Sequence, residues 1–285
     1  MKSNFDFLNR YWPALAQIGA TAETYVYSDP NACIYKLGMF AERLVQEILV
    51  FEHIAEPAVD NTHANRIRIL KRAGLLPHEI DNTLYVLRKT RNSAVHIGTD
   101  SVDEAKTLLS LTYNLAVWFM ETYGDWGYIA PEFVMPSETT HEDLESVIAE
   151  QERKIEELTN QLAVVKTAAS GKTQKERARR SESVSAMMNW NEAQTRCLID
   201  EQLRLSGWEA DTQNLRYSKG TRPVKGRNIA ISEWPTNSAF YKNGYADYAF
   251  FVGEKLVALM DAKKMSEDVA STIDVQVKDY AAHIK

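Results

Sequence analysis

The stretch YADYAFFVGEKLVALMDAKK, residues 245–264, decides the fold of the C-terminal part of this chain. Two apolar runs flank Gly253, and this spacing predicts two antiparallel strands joined by a tight hairpin. Because side chains alternate along a strand, Asp247 lies on the opposite face from Tyr248 and Phe250. Charge therefore enters two strands that are otherwise apolar enough to be buried.

The second strand brings two further charges to the same end of the hairpin. Asp261 and Lys263 are two residues apart, so both point to one side of the strand and converge with Asp247. Two carboxylates can hold one or two Mg²⁺ ions, and a lysine beside them can orient a water molecule, which suits phosphodiester hydrolysis. A cross-strand salt bridge is the alternative, and this short pattern by itself favours it.

Further residues, in the right order, make positions 189–285 resemble the PD-(D/E)xK nuclease superfamily. Within it the segment is similar to the nuclease domain of the restriction subunit of type I restriction-modification enzymes. The matching residues are Glu192 in NEAQTR, Asp247, Asp261-Ala262-Lys263, and Gln276 with Tyr280 as the QxxxY motif. Ala246 replaces the proline that often precedes the first acid, and Asp261 replaces the more usual glutamate, whose longer arm would hold a metal differently.

The resemblance implies a restriction-endonuclease-like α/β fold and Mg²⁺-dependent cleavage of DNA. It implies that Asp247 and Asp261 bind the metal with the backbone carbonyl of Ala262 as a third oxygen, and that Lys263, Glu192, Gln276 and Tyr280 complete the catalytic set. It also implies methylation and specificity subunits as partners. ATP is expected to act only through a motor domain, for which this sequence has no motif.

A basic segment, residues 216–227, precedes the hairpin and contains no acid. Its basic residues are Arg216, Lys219, Arg222, Lys225 and Arg227, and glycines interrupt it. This composition predicts a mobile loop beside the strands that contacts the nucleic-acid backbone.

The N-terminal part, from Pro30 to about Tyr123, predicts a helical bundle. Apolar residues recur there at helical spacing, at Ile34, Leu37, Phe40, Leu44 and Ile48, at Leu84 and Leu87, and at Leu108, Leu111, Leu115 and Phe119. Arg91, Asn92 and His96 form an Rx4H arrangement that resembles HEPN domains, in which arginine and histidine of two chains build a ribonuclease site. The alternative is structural, with Arg91 paired to an acid across the bundle and His96 packed at a helix end.

Two segments connect these parts. Apolar residues at alternating steps of four and three predict either a short coiled coil or an amphipathic helix lying on a domain, at Leu144, Ile148, Gln151, Ile155, Leu158, Leu162 and Val165. Residues 172–180 are basic and are expected to be the solvated face of a linker; contact with a DNA backbone is the alternative. The GKT at 171–173 lacks the preceding glycine of a phosphate loop.

Composition limits the remaining possibilities. The chain has 285 residues, 45% of them hydrophobic, and a net charge of −6, so it is long enough for more than one domain and carries no overall nucleic-acid signature. Cys33 and Cys197 lie far apart without neighbouring ligands, which fits a reducing cytoplasm and indicates neither disulfides nor zinc. No signal peptide or membrane span is expected.

We therefore expect an α + α/β architecture: a HEPN-like helical bundle over 1–136, a coiled-coil and basic linker over 137–188, and a nuclease domain over 189–285. Two other functions stay open. One is a HEPN-type, metal-independent ribonuclease or toxin whose C-terminal part only binds nucleic acid. The other is an inactive helical module that forms a homodimer through the bundle or the coiled coil.

Overall fold

The computed structural model describes residues 3–56, 59–96, 101–138, 141–159, 167–236 and 244–262. The chain forms two compact units, Met1–Met188 and Asn189–Lys285. Within the described ranges, every helix is too short or too polar to span a lipid bilayer. Each unit has its own core.

The described secondary structure of the first unit is all helical. Short 3-10 turns at Asp6–Arg10 and Ala168–Gly171 and a π-helical turn at Met120–Gly124 accompany its α-helices. Those α-helices are α1 (Pro13–Ser28), α2 (Pro30–Phe51), α3 (His63–Arg72), α4 (His78–His96), α5 (Val102–Phe119), α6 (His141–Thr159) and α7 (Gln174–Met187). The helix α1 precedes Pro30, where the predicted series of helically spaced apolar residues begins, and lies within the range 1–136 expected for the bundle.

The helix α2 lies at the centre of the bundle and contacts α1, α4 and α5. It begins at a proline, and the Asp29 carboxylate caps it by accepting a hydrogen bond of 2.9 Å from the Ala32 N–H. The apolar series predicted from the sequence for α2, α4 and α5 is buried, with at most 1% of any of these side chains exposed. The prediction of a helical bundle is therefore confirmed for these three helices.

The helix α6 lies against α1, so the described part of the predicted heptad stripe faces the bundle. Ile155 is buried, and the Gln151 amide oxygen accepts a hydrogen bond of 3.1 Å from Thr24 on α1. Lys36 donates to Glu152 at 2.6 Å. These contacts are those of an amphipathic helix on a domain, one of the two interpretations left open, and Leu162 and Val165 lie outside the described residues.

The helix α7 corrects the expectation that residues 172–180 form a solvated face. Lys172, Lys175 and Arg179 are exposed as expected, but Arg177 is buried and forms two hydrogen bonds to the Glu52 carboxylate, at 2.7 and 2.6 Å. Arg180 contacts Glu121 at 3.1 Å. The buried Glu52 charge needs a partner of opposite sign, which ties α7 to the bundle.

The second unit consists of one described helix and a four-stranded sheet. The elements are α8 (Glu192–Leu205), β1 (Glu209–Ala210), β2 (Asn228–Pro235), β3 (Tyr245–Val252) and β4 (Lys255–Met260). The sheet order is β1-β2-β3-β4, with β1 parallel to β2 and the remaining pairs antiparallel. The hairpin predicted around Gly253, whose φ is +61°, is confirmed.

Both faces of the sheet are apolar. Ile229, Ile231, Trp234, Ala249 and Phe251 form the core on one face. Ala210, Ala230, Tyr248 and Phe250 form the core on the other, where Ile199 and Leu203 of α8 pack against them. The predicted alternation in β3 is therefore confirmed, and α8 is held beside the strand that carries Asp247.

Candidate active site

The hairpin brings the two predicted acids together. Tyr248 pairs with Met260 in the antiparallel register, which places Asp247 opposite Asp261 just beyond the last pair. The Ala262 N–H donates to Asp247 Oδ2 at 2.8 Å, and the Asp247 N–H donates to Asp261 Oδ1 at 3.3 Å. Main-chain donors thus orient both carboxylates at one end of the hairpin.

Arg196 of α8 reaches the same place. Its Nη2 lies 2.6 Å from Asp247 Oδ1 and 2.8 Å from the carboxylate of Glu192, one turn earlier on α8. Its Nη1 lies 3.5 Å from Glu233 of β2. Only 13% of the Arg196 side chain is exposed, so its charge acts in a partly desolvated setting. Glu192 and Asp247, both predicted site residues, therefore meet through this arginine.

Arg196 and Glu233 are not among the site residues predicted from the sequence. Glu233 stands in the apolar run NIAISEWP, as Asp247 does in YADYAFF, and an acid in a strand with two apolar faces was the available signal. The pairs Ser232 with Tyr248 and Trp234 with Ala246 place Glu233 across from Asp247.

A buried network fixes α8 to β3 behind these charges. The Asp200 carboxylate accepts hydrogen bonds from the Thr212 N–H at 2.7 Å, the Thr212 hydroxyl at 2.8 Å and the Tyr248 hydroxyl at 2.9 Å. Burial raises the pKa of Asp200, and these donors oppose that rise. The pKa of Tyr248 is raised chiefly by burial. The network sets the position of α8, and with it that of Arg196.

The predicted basic loop is folded by its own contacts. Arg216 donates to the Thr212 carbonyl at 2.6 Å and pairs with Glu233 at 3.1 Å, so it belongs to the acidic site. Arg222 lies over the Tyr217 ring at 3.7 Å, and Arg227 pairs with Glu209. Lys219 and Lys225 are exposed. Binding of nucleic acid by these five residues stays a prediction.

Three predicted site residues, Lys263, Gln276 and Tyr280, lie outside the described residues. Their roles stay predictions from the sequence resemblance.

The acids fit a hard divalent cation. Asp247 and Asp261 offer carboxylate oxygens, and Mg²⁺ is usually held in proteins by one or two carboxylates while it keeps several waters. Among the described residues, no group of three or more histidines, cysteines and acids is arranged to hold a metal, so a cage of protein ligands is not present there. A two-carboxylate site suits Mg²⁺ better than Zn²⁺.

The HEPN-like motif of the first unit has a different setting. Arg91 pairs with Glu42 of α2 and lies 5.0 Å from the Tyr35 ring. A Cβ at Gly38 would lie 2.4 Å from the Arg91 side chain, so the glycine makes room for it. This is the pairing with an acid across the bundle that the structural alternative describes. The His96 side chain lies outside the described residues, and a catalytic role for Arg91, Asn92 and His96 stays untested.

The resemblance to type I restriction subunits is confirmed by two comparisons with known proteins. Residues 209–285 match the family model of the second domain of the type I restriction enzyme EcoKI endonuclease subunit. The chain is also 30% identical, over 96% of its length, to the type I restriction enzyme EcoKI endonuclease subunit of Escherichia coli (strain K12). This chain is therefore related to the endonuclease subunits of type I restriction enzymes.

The chain spans 28% of the length of that relative. The family match covers the sheet from β1 onward, including the acid pair and the basic loop. None of the solved structures matches this chain.

Proposed function

We propose that the second unit is a Mg²⁺-dependent endonuclease that cleaves DNA phosphodiester bonds as the nuclease part of a type I restriction subunit. The single observation that carries the proposal is that main-chain hydrogen bonds place the Asp247 and Asp261 carboxylates side by side at the open end of a hairpin. This pair lies in a chain related to a restriction endonuclease subunit. The partners proposed with it are DNA and the methylation and specificity subunits.

The metal ligands, the catalytic lysine and the basic loop have separate roles. Asp247 and Asp261, with the carbonyl oxygen of Ala262, would hold Mg²⁺, which when bound activates water and offsets phosphate charge. Lys263 orients the attacking water and stabilises the developing negative charge, and Glu192, Gln276 and Tyr280 support the site. Arg216 and the exposed Lys219, Arg222 and Lys225 contact the DNA backbone with Arg227, which supplies affinity that falls with salt.

Titration with Mn²⁺ tests the metal site directly. Calorimetry should show binding to the wild-type chain that Asp247→Ala abolishes, because one of two carboxylates has gone. Glu209→Ala on β1 is a matched control that removes a carboxylate of the same sheet and should leave binding unchanged. Equal binding by the Asp247→Ala and wild-type chains would remove the site.

Lys263 separates nuclease chemistry from a salt bridge. Lys263→Ala leaves both acids in place, so Mn²⁺ should still bind, but nicking of plasmid DNA with Mg²⁺ should fall about a hundredfold or more. A salt bridge would contribute only about 0–1 kcal/mol of stability and leave cleavage as it was. The assay uses the assembled restriction complex if the chain does not cleave alone.

A further inference from the structure

Glu233 has a backbone conformation that the acid pair does not explain. Its φ is +54°, two residues before the end of β2, and this left-handed value is one that a glutamate adopts at a cost. Its neighbours Ser232 and Trp234 keep regular pairs with β3 on either side. Such strain persists where surrounding contacts hold it, and functional sites are where it concentrates.

The contacts of Glu233 are with two arginines. Its Oε1 lies 3.1 Å from Arg216 and 3.5 Å from Arg196. The shorter contact holds the carboxylate from the loop side, and the longer one leaves it within reach of the guanidinium that is bonded to Asp247. Glu233 thus lies between a fixed arginine and one with several acidic neighbours.

The Arg196 guanidinium forms a hydrogen bond to Asp247 Oδ1, an oxygen that would also bind a metal cation. Its Nη2 is 2.6 Å from Asp247 Oδ1, while its Nε is buried and has no hydrogen-bond partner among the described residues. A guanidinium and a divalent cation on one carboxylate oxygen compete for it and repel each other. Cation binding therefore favours movement of the guanidinium charge toward another acid.

We propose that Glu233 is a positioning residue that accepts the Arg196 guanidinium when a divalent cation takes Asp247 Oδ1. Arg216 keeps the Glu233 carboxylate in place for this exchange. The inference rests on the proposed function, and it adds how a metal ion replaces the Arg196 guanidinium at Asp247. If Glu233 were only a surface ion-pair partner, its charge would not affect metal affinity.

A double-mutant cycle on the full chain tests the exchange, with Mn²⁺ as the probe and calorimetry as the readout. Glu233→Gln should weaken Mn²⁺ binding about tenfold, within the range for directly coupled neighbours, because Arg196 then stays on Asp247. Arg196→Gln should strengthen binding, since the competing charge has gone. In the double variant Arg196→Gln/Glu233→Gln, the loss caused by Glu233→Gln should largely disappear.

A matched pair separates charge from folding. Asp and Asn both tolerate positive φ and have nearly the same shape, so Glu233→Asp and Glu233→Asn differ mainly in charge. The Asp variant should bind Mn²⁺ more tightly than the Asn variant. Glu209→Gln, which removes an equal charge from the exposed pair with Arg227, should stay within about twofold of wild type, because exposed pairs are weakly coupled and screened.

The outcomes are distinct. Equal Mn²⁺ affinity in the wild-type, Glu233→Gln and Glu233→Asn chains would overturn this inference while the metal site stood. An undiminished effect of Glu233→Gln in the Arg196→Gln background would also overturn it, because Glu233 would then act without Arg196. A wild-type chain that binds no Mn²⁺ would overturn both the metal site and the exchange.

Discussion

The position of each charged side chain at this site is set by its contacts with neighbouring elements. Asp247 has a main-chain donor on Oδ2 and a guanidinium on Oδ1, so its carboxylate is oriented by two different elements of the unit. Glu233 is held in a strained conformation across the same sheet. Strain of this kind has a consequence for stability that can be measured separately from metal binding.

We expect Glu233→Gly to be more stable than Glu233→Ala by about 1 kcal/mol, because glycine adopts positive φ without the clash of a Cβ. The measurement is the free energy of unfolding in urea. Asn228, at the start of the same strand and without positive φ, is the control, and there Ala should be the more stable of the two replacements. If alanine were the more stable replacement at position 233 as well, the left-handed conformation of Glu233 would be contradicted.

His63 predicts a pH dependence in the first unit. Burial lowers its pKa to about 4, although Glu42 acts to raise it, and Arg66, Arg88 and Arg91 lower it further. The folded-state pKa lies below the ordinary value of 6.5, so between these values the unfolded chain binds more protons. Stability is therefore present above pH 6.5 and lost as the pH falls, by about 2 kcal/mol from pH 7 to pH 5.

A variant isolates this contribution from that of the carboxylates. The stability difference between the wild-type chain and His63→Leu should shrink by about 2 kcal/mol from pH 7 to pH 5, measured by urea unfolding at both pH values. His53→Leu, which changes an exposed histidine, should show no such change. A constant difference for His63→Leu would show that the histidine is not held neutral by burial.

At the residue scale, the sequence predicts the acids better than their partners. Asp247 stands in β3 and Asp261 directly follows β4 at the open end of a recognisable hairpin, so period-two alternation and one turn suffice to bring them together. Arg196 is on a helix 51 residues earlier than Asp247. No local pattern states which acid of the sheet it meets, because that depends on how α8 packs.

Elements show the same division between local and non-local information. The helices α2, α4 and α5 follow from apolar residues at helical spacing. The helix α8 ends just before Gly207, whose φ of +87° suits a glycine at a helix end. The strand β1 is only two residues long, Glu209–Ala210. The basic composition of α7 conceals its packing, because the burial of Arg177 depends on Glu52, which is 125 residues away.

The pair Arg177 and Glu52 predicts how strongly α7 is bound to the bundle. Only 9% of the Arg177 side chain and 0% of the Glu52 side chain are exposed. Arg177→Ala would therefore leave a buried carboxylate without its bidentate partner. We expect a loss of about 3–5 kcal/mol in the free energy of unfolding. Arg179→Ala, an exposed arginine on the same helix, should change it by less than about 0.5 kcal/mol.

Replacing both members of the pair by apolar residues distinguishes a buried charge from lost packing. Arg177→Met with Glu52→Leu should be less destabilising than Arg177→Ala alone, because no charge is then left buried. If Arg177→Ala had the stability of the wild-type chain, α7 would be the solvated linker expected from its composition.

At the scale of the whole molecule, the two units have separate cores and separate candidate chemistries. The acid pair, Arg196 and Glu233 all lie within Asn189–Lys285, and the HEPN-like motif lies within Met1–Met188. Each unit is in the size range of a domain that folds alone. A ligand that binds only the folded form of one unit should therefore stabilise that unit and leave the other unchanged.

We expect Mn²⁺ at 100 times its Kd to stabilise a separately expressed 189–285 fragment by about 2.7 kcal/mol, and a 1–188 fragment not at all. The measurement is thermal unfolding of each fragment with Mn²⁺ and with EDTA. Asp247→Ala in the 189–285 fragment is the control and should abolish the stabilisation, because a general effect of the ion would survive this change. Stabilisation of the 1–188 fragment alone would place the metal chemistry in the helical unit, and a ribonuclease activity of that fragment in EDTA would favour the metal-independent HEPN function instead.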